Sequence, residues 1–232
     1  TLVGGAGDDS LVGGTGDDTY YVDSTSDTVT ESSSEGTDTV SSSVTWTLGS
    51  NVENLTLSGS STINATGNSD DNTITGNSAA NTLTGGAGDD TLTGGAGADT
   101  LTGGAGTDTA TYSGSSSAVT VNLATGSGSG GDAASDTLSG IENITGSAHA
   151  DTLTGDGNAN TLTGGAGADQ VLHLSSLSCK VSNAPSSDPG ICSPPVHTLL
   201  RVKARTIPGR GTNQRRPHGI ARGLPGSSDS SA

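Results

Sequence analysis

Between Gly85 and Thr111 the chain reads GGAGDDTLT, GGAGADTLT and GGAGTDTAT, three nonapeptides in tandem without a slip in register. The pattern is G-G-x-G-x-D-x-U-x, with U apolar. Asp90, Asp99 and Asp108 recur every nine residues, each behind a glycine-rich segment and ahead of a Thr-apolar-Thr run. Glycine lets a backbone turn tightly at positive φ. A loop made mostly of glycine also bares its carbonyl oxygens, and an aspartate at its end adds a carboxylate. Both are hard oxygen donors of the kind that hold Ca2+. The Thr-apolar-Thr run alternates outward and inward, the periodicity of a half-buried strand. Each nonapeptide therefore predicts a loop followed by a strand.

Two further copies, GGAGDDSLV and GGTGDDTYY, occupy residues 4–21, and GGAGAD closes the series at 164–169. Together the copies resemble the RTX (repeats-in-toxin, haemolysin-type calcium-binding) family. The resemblance implies an all-β chain wound as a right-handed parallel β-roll, a β-solenoid in which two nonapeptides make one turn. Loops on the same edge then lie 18 residues apart. It also implies that each Ca2+ sits between two such loops, held by aspartates and loop carbonyls from both. On that basis the metal ligands are Asp90, Asp99 and Asp108 with the carbonyls of Gly86, Gly88, Gly95, Gly97, Gly104 and Gly106. Asp9, Asp18, Asp27, Asp151 and Asp169 follow, with Gly5, Gly7, Gly14, Gly16, Gly165 and Gly167.

The 18-residue spacing can be applied along the chain. It pairs Asp90 with Asp108, both in GGAG loops. It pairs Asp151 with Asp169, although the first of these loops has lost most of its glycines. Asn72 with Asp90 and Asn81 with Asp99 predict weaker sites, because asparagine offers a neutral oxygen. Asp9 meets Asp27 behind a glycine-free loop. Asp18 meets Gly36, which has no side-chain ligand.

Charge separates the chain into two kinds of sequence. Residues 1–169 carry 22 acidic side chains and no Lys or Arg, whereas the rest carries two acids and all eight bases, all seven prolines and both cysteines. The acidic part has no basic side chains with which to neutralise itself, and its carboxylates repel in a compact state. Apolar residues are 28% and aromatics 2%, too few for an ordinary core. A solenoid removes the conflict, since each strand needs only one inward apolar residue to cover its neighbours. A divalent cation held between loops would relieve the repulsion and fix glycine-rich backbone together, so that binding energy becomes folding energy.

The repeats fall at 1–21, 67–111 and 146–169, separated by irregular β blocks at 22–66 and 112–145. Within the first block, Val44, Trp46, Leu48, Leu55 and Leu57 alternate as strands do. In the second, Val119, Val121 and Leu123 mark a strand, and GSGSGGDAAS reads as a flexible loop. Residues 170–232 are expected to be a disordered or aberrant basic tail containing proline, foreign to the repeat. The chain opens inside a repeat, which predicts a fragment of a longer protein.

No H-E-x-x-H or G-x-S-x-G occurs, and no lysine precedes Lys180, which removes a P-loop from the repeat region. The chain therefore reads as non-catalytic. No nucleic-acid partner and no membrane span are expected. The resemblance implies a secreted, extracellular bacterial protein, exported by type I secretion machinery and folding on calcium outside the cell. Other readings stay open: an adhesin or surface spacer with a cell-surface or extracellular target, an ice-binding face built from the Thr-x-Thr ranks, or the non-catalytic C-terminal part of a secreted hydrolase or toxin.

Overall fold

In the computed structural model, which describes residues 1–173, the Thr-apolar-Thr runs fold as strands. In chain order these are β1 (Leu2–Val3), β2 (Ser10–Val12), β3 (Thr19–Val22), β4 (Thr28–Thr30), β5 (Thr39–Ser42), β6 (Trp46–Thr47), β7 (Asn54–Leu57), β8 (Ala65–Thr66), β9 (Thr73–Thr75) and β10 (Thr82–Ala87). They continue as β11 (Thr91–Thr93), β12 (Thr100–Ala105), β13 (Thr109–Thr111), β14 (Thr120–Asn122), β15 (Ser127–Ser129), β16 (Thr137–Ser139), β17 (Asn143–Thr145), β18 (Thr152–Thr154), β19 (Thr161–Thr163) and β20 (Gln170–Leu172). A 3-10 turn at Gly131–Ala133 is the one helical segment among the described residues.

Successive strands step between two faces. One nine-stranded sheet runs β1-β3-β5-β7-β9-β11-β13-β17-β19. The facing sheet runs β20-β18-β14-β15-β16-β12-β10-β8-β6, and β2 pairs with β4 alone. The chain is thus a parallel β-solenoid of about ten turns, the all-β class that the nonapeptide predicts. In the regular part the register is the repeat itself: Leu83 lies opposite Leu101, and Ile74 opposite Leu92.

The core is a pair of side-chain columns, one lining each sheet. Tyr20, Val40, Leu55, Ile74, Leu92, Ala110 and Ile144 stack inside the first sheet, and Ala65, Leu83 and Leu101 inside the second, all buried. Each such leucine contributes about 1.5–3 kcal/mol on burial. That is small against the entropy of ordering a nine-residue, glycine-rich repeat. Volume is exchanged along the columns: Trp46 stands beside Ala65, and Ala110 lies between Leu92 and Ile144.

The 22–66 segment stays inside the coil. Its first-sheet partners Tyr20, Val40, Leu55 and Ile74 are separated by turns of 20, 15 and 19 residues, together the length of three regular turns. The lengths err in opposite directions and cancel, which returns Ile74 to the phase of the later repeats.

The 112–145 segment is a wedge in one sheet. β13 pairs directly with β17 on the first face, while β16, β15 and β14 all fit between β12 and β18 on the other. β14 is the strand expected from Val119 and Val121, but the stretch expected as a flexible loop forms β15 and the 3-10 turn. Gly128 and Gly130 allow the close packing that this needs, since a Cβ on either would sit within 3 Å of a backbone carbonyl. At the far end β20 pairs in register with β18, so the coil runs past Asp169. The expected disordered or aberrant tail falls mostly on residues 174–232, outside the described residues.

Outward threonines align as ranks. Thr73, Thr91, Thr109, Asn143 and Thr161 form one line on the first sheet, and Thr47, Thr66, Thr84, Thr102 and Ser139 one on the second. Among the described residues no helix is long and apolar enough to cross a membrane.

Candidate metal centre

The sixth residue of a loop stands just ahead of a strand, and at Asn72, Asn81, Asp90, Asp99, Asp108 and Asp151 its backbone N–H donates to the carboxylate one turn on. Along one edge Asn72 N–H reaches Asp90 Oδ1, Asp90 N–H reaches Asp108 Oδ1 and Asp108 N–H reaches Glu142 Oε2, each at 2.8 Å. Along the other, Asn81 N–H reaches Asp99 Oδ1 and Asp99 N–H reaches Asp136 Oδ1, both at 2.8 Å, and Asp151 N–H reaches Asp169 Oδ1 at 3.0 Å. The coil stacks acid on acid, with one carboxylate oxygen of each spent on the ladder.

The second oxygen is the informative one. Asp90, Asp99 and Asp108 are buried, and the Oδ2 of each has no hydrogen-bond partner; Asp9 Oδ2 is likewise orphaned. Such an atom costs roughly 1–3 kcal/mol, and more when it carries charge. Burial pushes the Asp90 and Asp99 carboxyls up to about 6 from 3.8, partly offset by the N–H that each accepts. Burial raises Asp108 as well.

The first glycine of the loop keeps open the space into which Oδ2 points. A Cβ on Gly85 would overlap Asp90 Oδ2 and lie 2.6 Å from Gly103 O of the next turn. One on Gly103 would overlap Asp108 Oδ2 and Gly140 O. Carboxylate and carbonyl oxygens thus converge on a cradle in which the Oδ2 atoms of Asp90 and Asp108 have no donor. That arrangement fits a hard cation with oxygen ligands.

The RTX calcium-binding nonapeptide repeat matches the chain in four copies, over residues 1–29, 66–101, 75–110 and 136–171. Residues 1–171 belong to the RTX calcium-binding repeat family. The repeats bind Ca2+, and the orphaned oxygens above lie inside the matched segments. No curated protein matches the chain.

The RTX loops fall into two geometries, divided by their second residue. In GGxGxD loops this residue is a glycine at positive φ, such as Gly86 at 125° or Gly95 at 92°. There Oδ2 of Asp90 and Asp99 stays free. Where the second residue is not glycine, its N–H turns inward and donates to the sixth residue: Asn68 to Asn72 Oδ1 at 2.8 Å, Asn77 to Asn81 Oδ1 at 2.9 Å, Ser147 to Asp151 Oδ2 at 2.6 Å and Asp156 to Asn160 Oδ1 at 2.9 Å. These loops close on themselves. Asp27 is the extreme case, accepting from Asp9, Asp23 and Ser24 N–H at 3.0, 3.2 and 3.2 Å, and the bonds hold its carboxyl below the usual value.

The pairs expected at 18 residues, Asp90 with Asp108, Asp9 with Asp27, Asp151 with Asp169, Asn72 with Asp90 and Asn81 with Asp99, are all in contact. Asp18 is not paired with Gly36. Its N–H donates to Asp38 Oδ1 at 2.8 Å, because the turn is 20 residues long, and Gly36 packs instead against Gly16 O.

The second- and fourth-position glycines serve the coil's close approach. Gly104 and Gly106 face Gly86 O and Gly88 O one turn back, Gly95 and Gly97 face Asn77 O and Ala79 O, and Gly165 and Gly167 face Ser147 O and His149 O. Gly5, Gly7, Gly14 and Gly16 take the same positive φ with nothing against them. The carbonyl that shares with Asp90 Oδ2 the space over Gly85 belongs to a first-position glycine, Gly103, which fixed-spacing reasoning left out.

Fixed spacing also missed Glu31, Asp38, Asp136 and Glu142. Asp136 continues the ladder from Asp99 after 37 residues, and its Oδ2 accepts from the buried Tyr112 hydroxyl at 3.1 Å. The only signal for these residues was the D-T-V and D-T-L echo around Asp38 and Asp136, which lies off the nine-residue period.

Proposed function

We propose that this chain is a calcium-triggered folding module of a secreted RTX protein. The carrying observation is the set of buried, unpartnered Oδ2 atoms at Asp9, Asp90, Asp99 and Asp108. Asp90, Asp99 and Asp108 are the principal ligands, with the neighbouring loop's carbonyls. Asp9, Asp18 and Asp169 rank next, and the self-closed loops of Asp27 and Asp151 rank last. The segments 1–21, 67–111 and 146–169 carry the nonapeptide sites, and the irregular blocks 22–66 and 112–145 bridge them. Without cations the carboxylates repel and the glycine-rich backbone disorders. At extracellular calcium, where such modules work at about 10⁻⁴–10⁻³ M, the roll forms. Export through a type I channel as an unfolded chain, and display or stabilisation of another domain, follow from that switch. No catalytic role is assigned to the chain.

A calcium titration of the full chain, followed by far-UV circular dichroism and calorimetry with magnesium as control, tests the reading. A cooperative coil-to-β transition supports it. A β-rich spectrum in chelator that calcium leaves unchanged overturns it. The in-register threonine ranks favour a second reading, an ice-binding face. Thermal hysteresis measured in calcium buffer decides that one.

A further inference from the structure

Beside the loop that sequence spacing marks as poorest in ligands, three acids of the described residues come together. Asp18, Glu31 and Asp38 each offer a carboxylate oxygen, and these oxygens lie within 4.8 Å of one another. Asp18 comes from the GGTGDD loop ahead of β3, Glu31 follows β4, and Asp38 precedes β5. Glu31 keeps the regular 18-residue step from Gly13 and so takes the place, one turn on, that a first-position glycine holds in the regular loops, while the 20-residue step from β3 to β5 brings Asp38 beside Asp18. A side-chain carboxylate enters where a backbone carbonyl would stand.

The surroundings leave these groups unsatisfied. Glu31 is 7% exposed, and neither of its oxygens has a partner with hydrogen-bond geometry; the Gly14 N–H acts on it only weakly against burial and the neighbouring carboxylates. Tyr20 is fully buried, and its hydroxyl is also unpartnered. Both are aimed at one space above Gly13: a Cβ there would lie 2.5 Å from Asp18 Oδ2 and from Glu31 Oε1, and closer still to Tyr20 Oη. Asp38 Oδ1 accepts from Asp18 N–H at 2.8 Å, and Asp18 Oδ1 from the Thr1 ammonium at 3.2 Å. No Lys or Arg occurs before Lys180. Glu35 and Asp38 add to the negative field around Glu31.

We propose that Asp18, Glu31, Asp38 and the Tyr20 hydroxyl form a side-chain-ligated site for a hard cation, distinct from the carbonyl-rich sites of the nonapeptides. Its ligands carry up to three negative charges, where a regular inter-loop site relies on neutral carbonyls beside its aspartates. It therefore prefers cations of high charge density and accepts a trivalent lanthanide readily. The site does not depend on the Asp90 and Asp108 loops binding calcium.

The test uses Tb3+ alone as the probe on the full chain, because tyrosine beside a bound terbium sensitises its emission. Glu31→Gln should remove one bound ion per chain and abolish the emission excited through Tyr20. Tyr20→Phe, which keeps the core ring, should abolish the emission and weaken that one ion several-fold. Glu31→Gln should also raise Tm in chelator, by removing repulsion, and lower Tm in Tb3+. Unchanged stoichiometry and emission in both variants would overturn the proposal. So would a Glu31→Gln chain less stable in chelator as well as in Tb3+, which would make Glu31 a structural contact. If the repeats ignore calcium while wild type still binds one Tb3+ more than Glu31→Gln, the nonapeptide reading fails and this one stands.

Discussion

Asp90 N–H donates to Asp108 Oδ1 at 2.8 Å across one turn of the coil, while the Oδ2 atoms of both residues are buried without a partner. One pair of side chains thus forms rungs of the fold and, in the proposed function, part of its cation cradles. The two roles separate by mutation. Asp108→Asn keeps an acceptor for Asp90 N–H but removes a buried charge. In chelator it should be at least as stable as wild type. Its calcium midpoint should rise about tenfold or more, which corresponds to roughly 1.4 kcal/mol. Asp108→Ala should lose stability in both conditions. Calcium titrations by circular dichroism, with thermal melts in chelator, check all three outcomes.

Protons should act as a weak substitute for calcium. Burial holds the Asp90 and Asp99 carboxyls at about 6 in the fold, against the ordinary 3.8. A group whose folded value is the higher binds protons more tightly in the fold. Its contribution to the unloaded roll is therefore full below about 3.8 and is lost as pH rises through about 6. Calcium runs the opposite way, because its ligands must be deprotonated. In chelator, Tm should rise between about pH 7 and about pH 4.5, and the gain in Tm from calcium should shrink over the same interval.

Restoring an aspartate at a degenerate loop should fail to restore a site. Asn72 Oδ1 already accepts from Asn68 N–H, and its Nδ2 faces Val52 O, Glu53 O and Asn68 Oδ1 at 3.3, 3.3 and 3.1 Å. Asn72→Asp would set an acceptor against three acceptors, at a cost of about 1–3 kcal/mol. Ion counting should show no additional calcium, and melts should show a loss of stability.

Glycines that share a backbone conformation should differ in what they tolerate. Gly7 and Gly104 have φ of 134° and 124°, but a Cβ on Gly7 meets open space, whereas one on Gly104 overlaps Gly86 O. Gly7→Ala should cost about 1–3 kcal/mol from strained backbone alone. Gly104→Ala should cost clearly more and broaden the calcium transition, since the turns must separate locally. Paired melts in saturating calcium give the comparison.

Strand, loop and inward side chain were legible wherever the nine-residue period was intact, because each is a local consequence of glycine, aspartate and one apolar residue at fixed offsets. Leu83, Leu92 and Leu101 are buried where the pattern puts them, and Asp90 meets Asp108 at the expected spacing. Legibility ended where turn length changed. Asp18 was matched to Gly36 by counting, yet a two-residue longer turn hands it to Asp38. Asp99 finds Asp136 only because three strands of one sheet are wedged against a single step in the other.

The sequence by itself determined an acidic chain of loop-plus-strand nonapeptides, since glycine, aspartate and one apolar residue at fixed offsets set each locally, and its resemblance to RTX repeats implied the calcium-binding β-roll. Only the tertiary structure decided which loops leave an oxygen free. That depends on the direction of a single N–H: positive φ at Gly86 or Gly95 turns it away from the aspartate, whereas Asn68 or Ser147 turns it inward and closes the loop. It also decided that Glu31, Asp38 and Tyr20 converge beside Asp18, because β4 keeps the 18-residue step from β2 while β5 is reached from β3 only after 20.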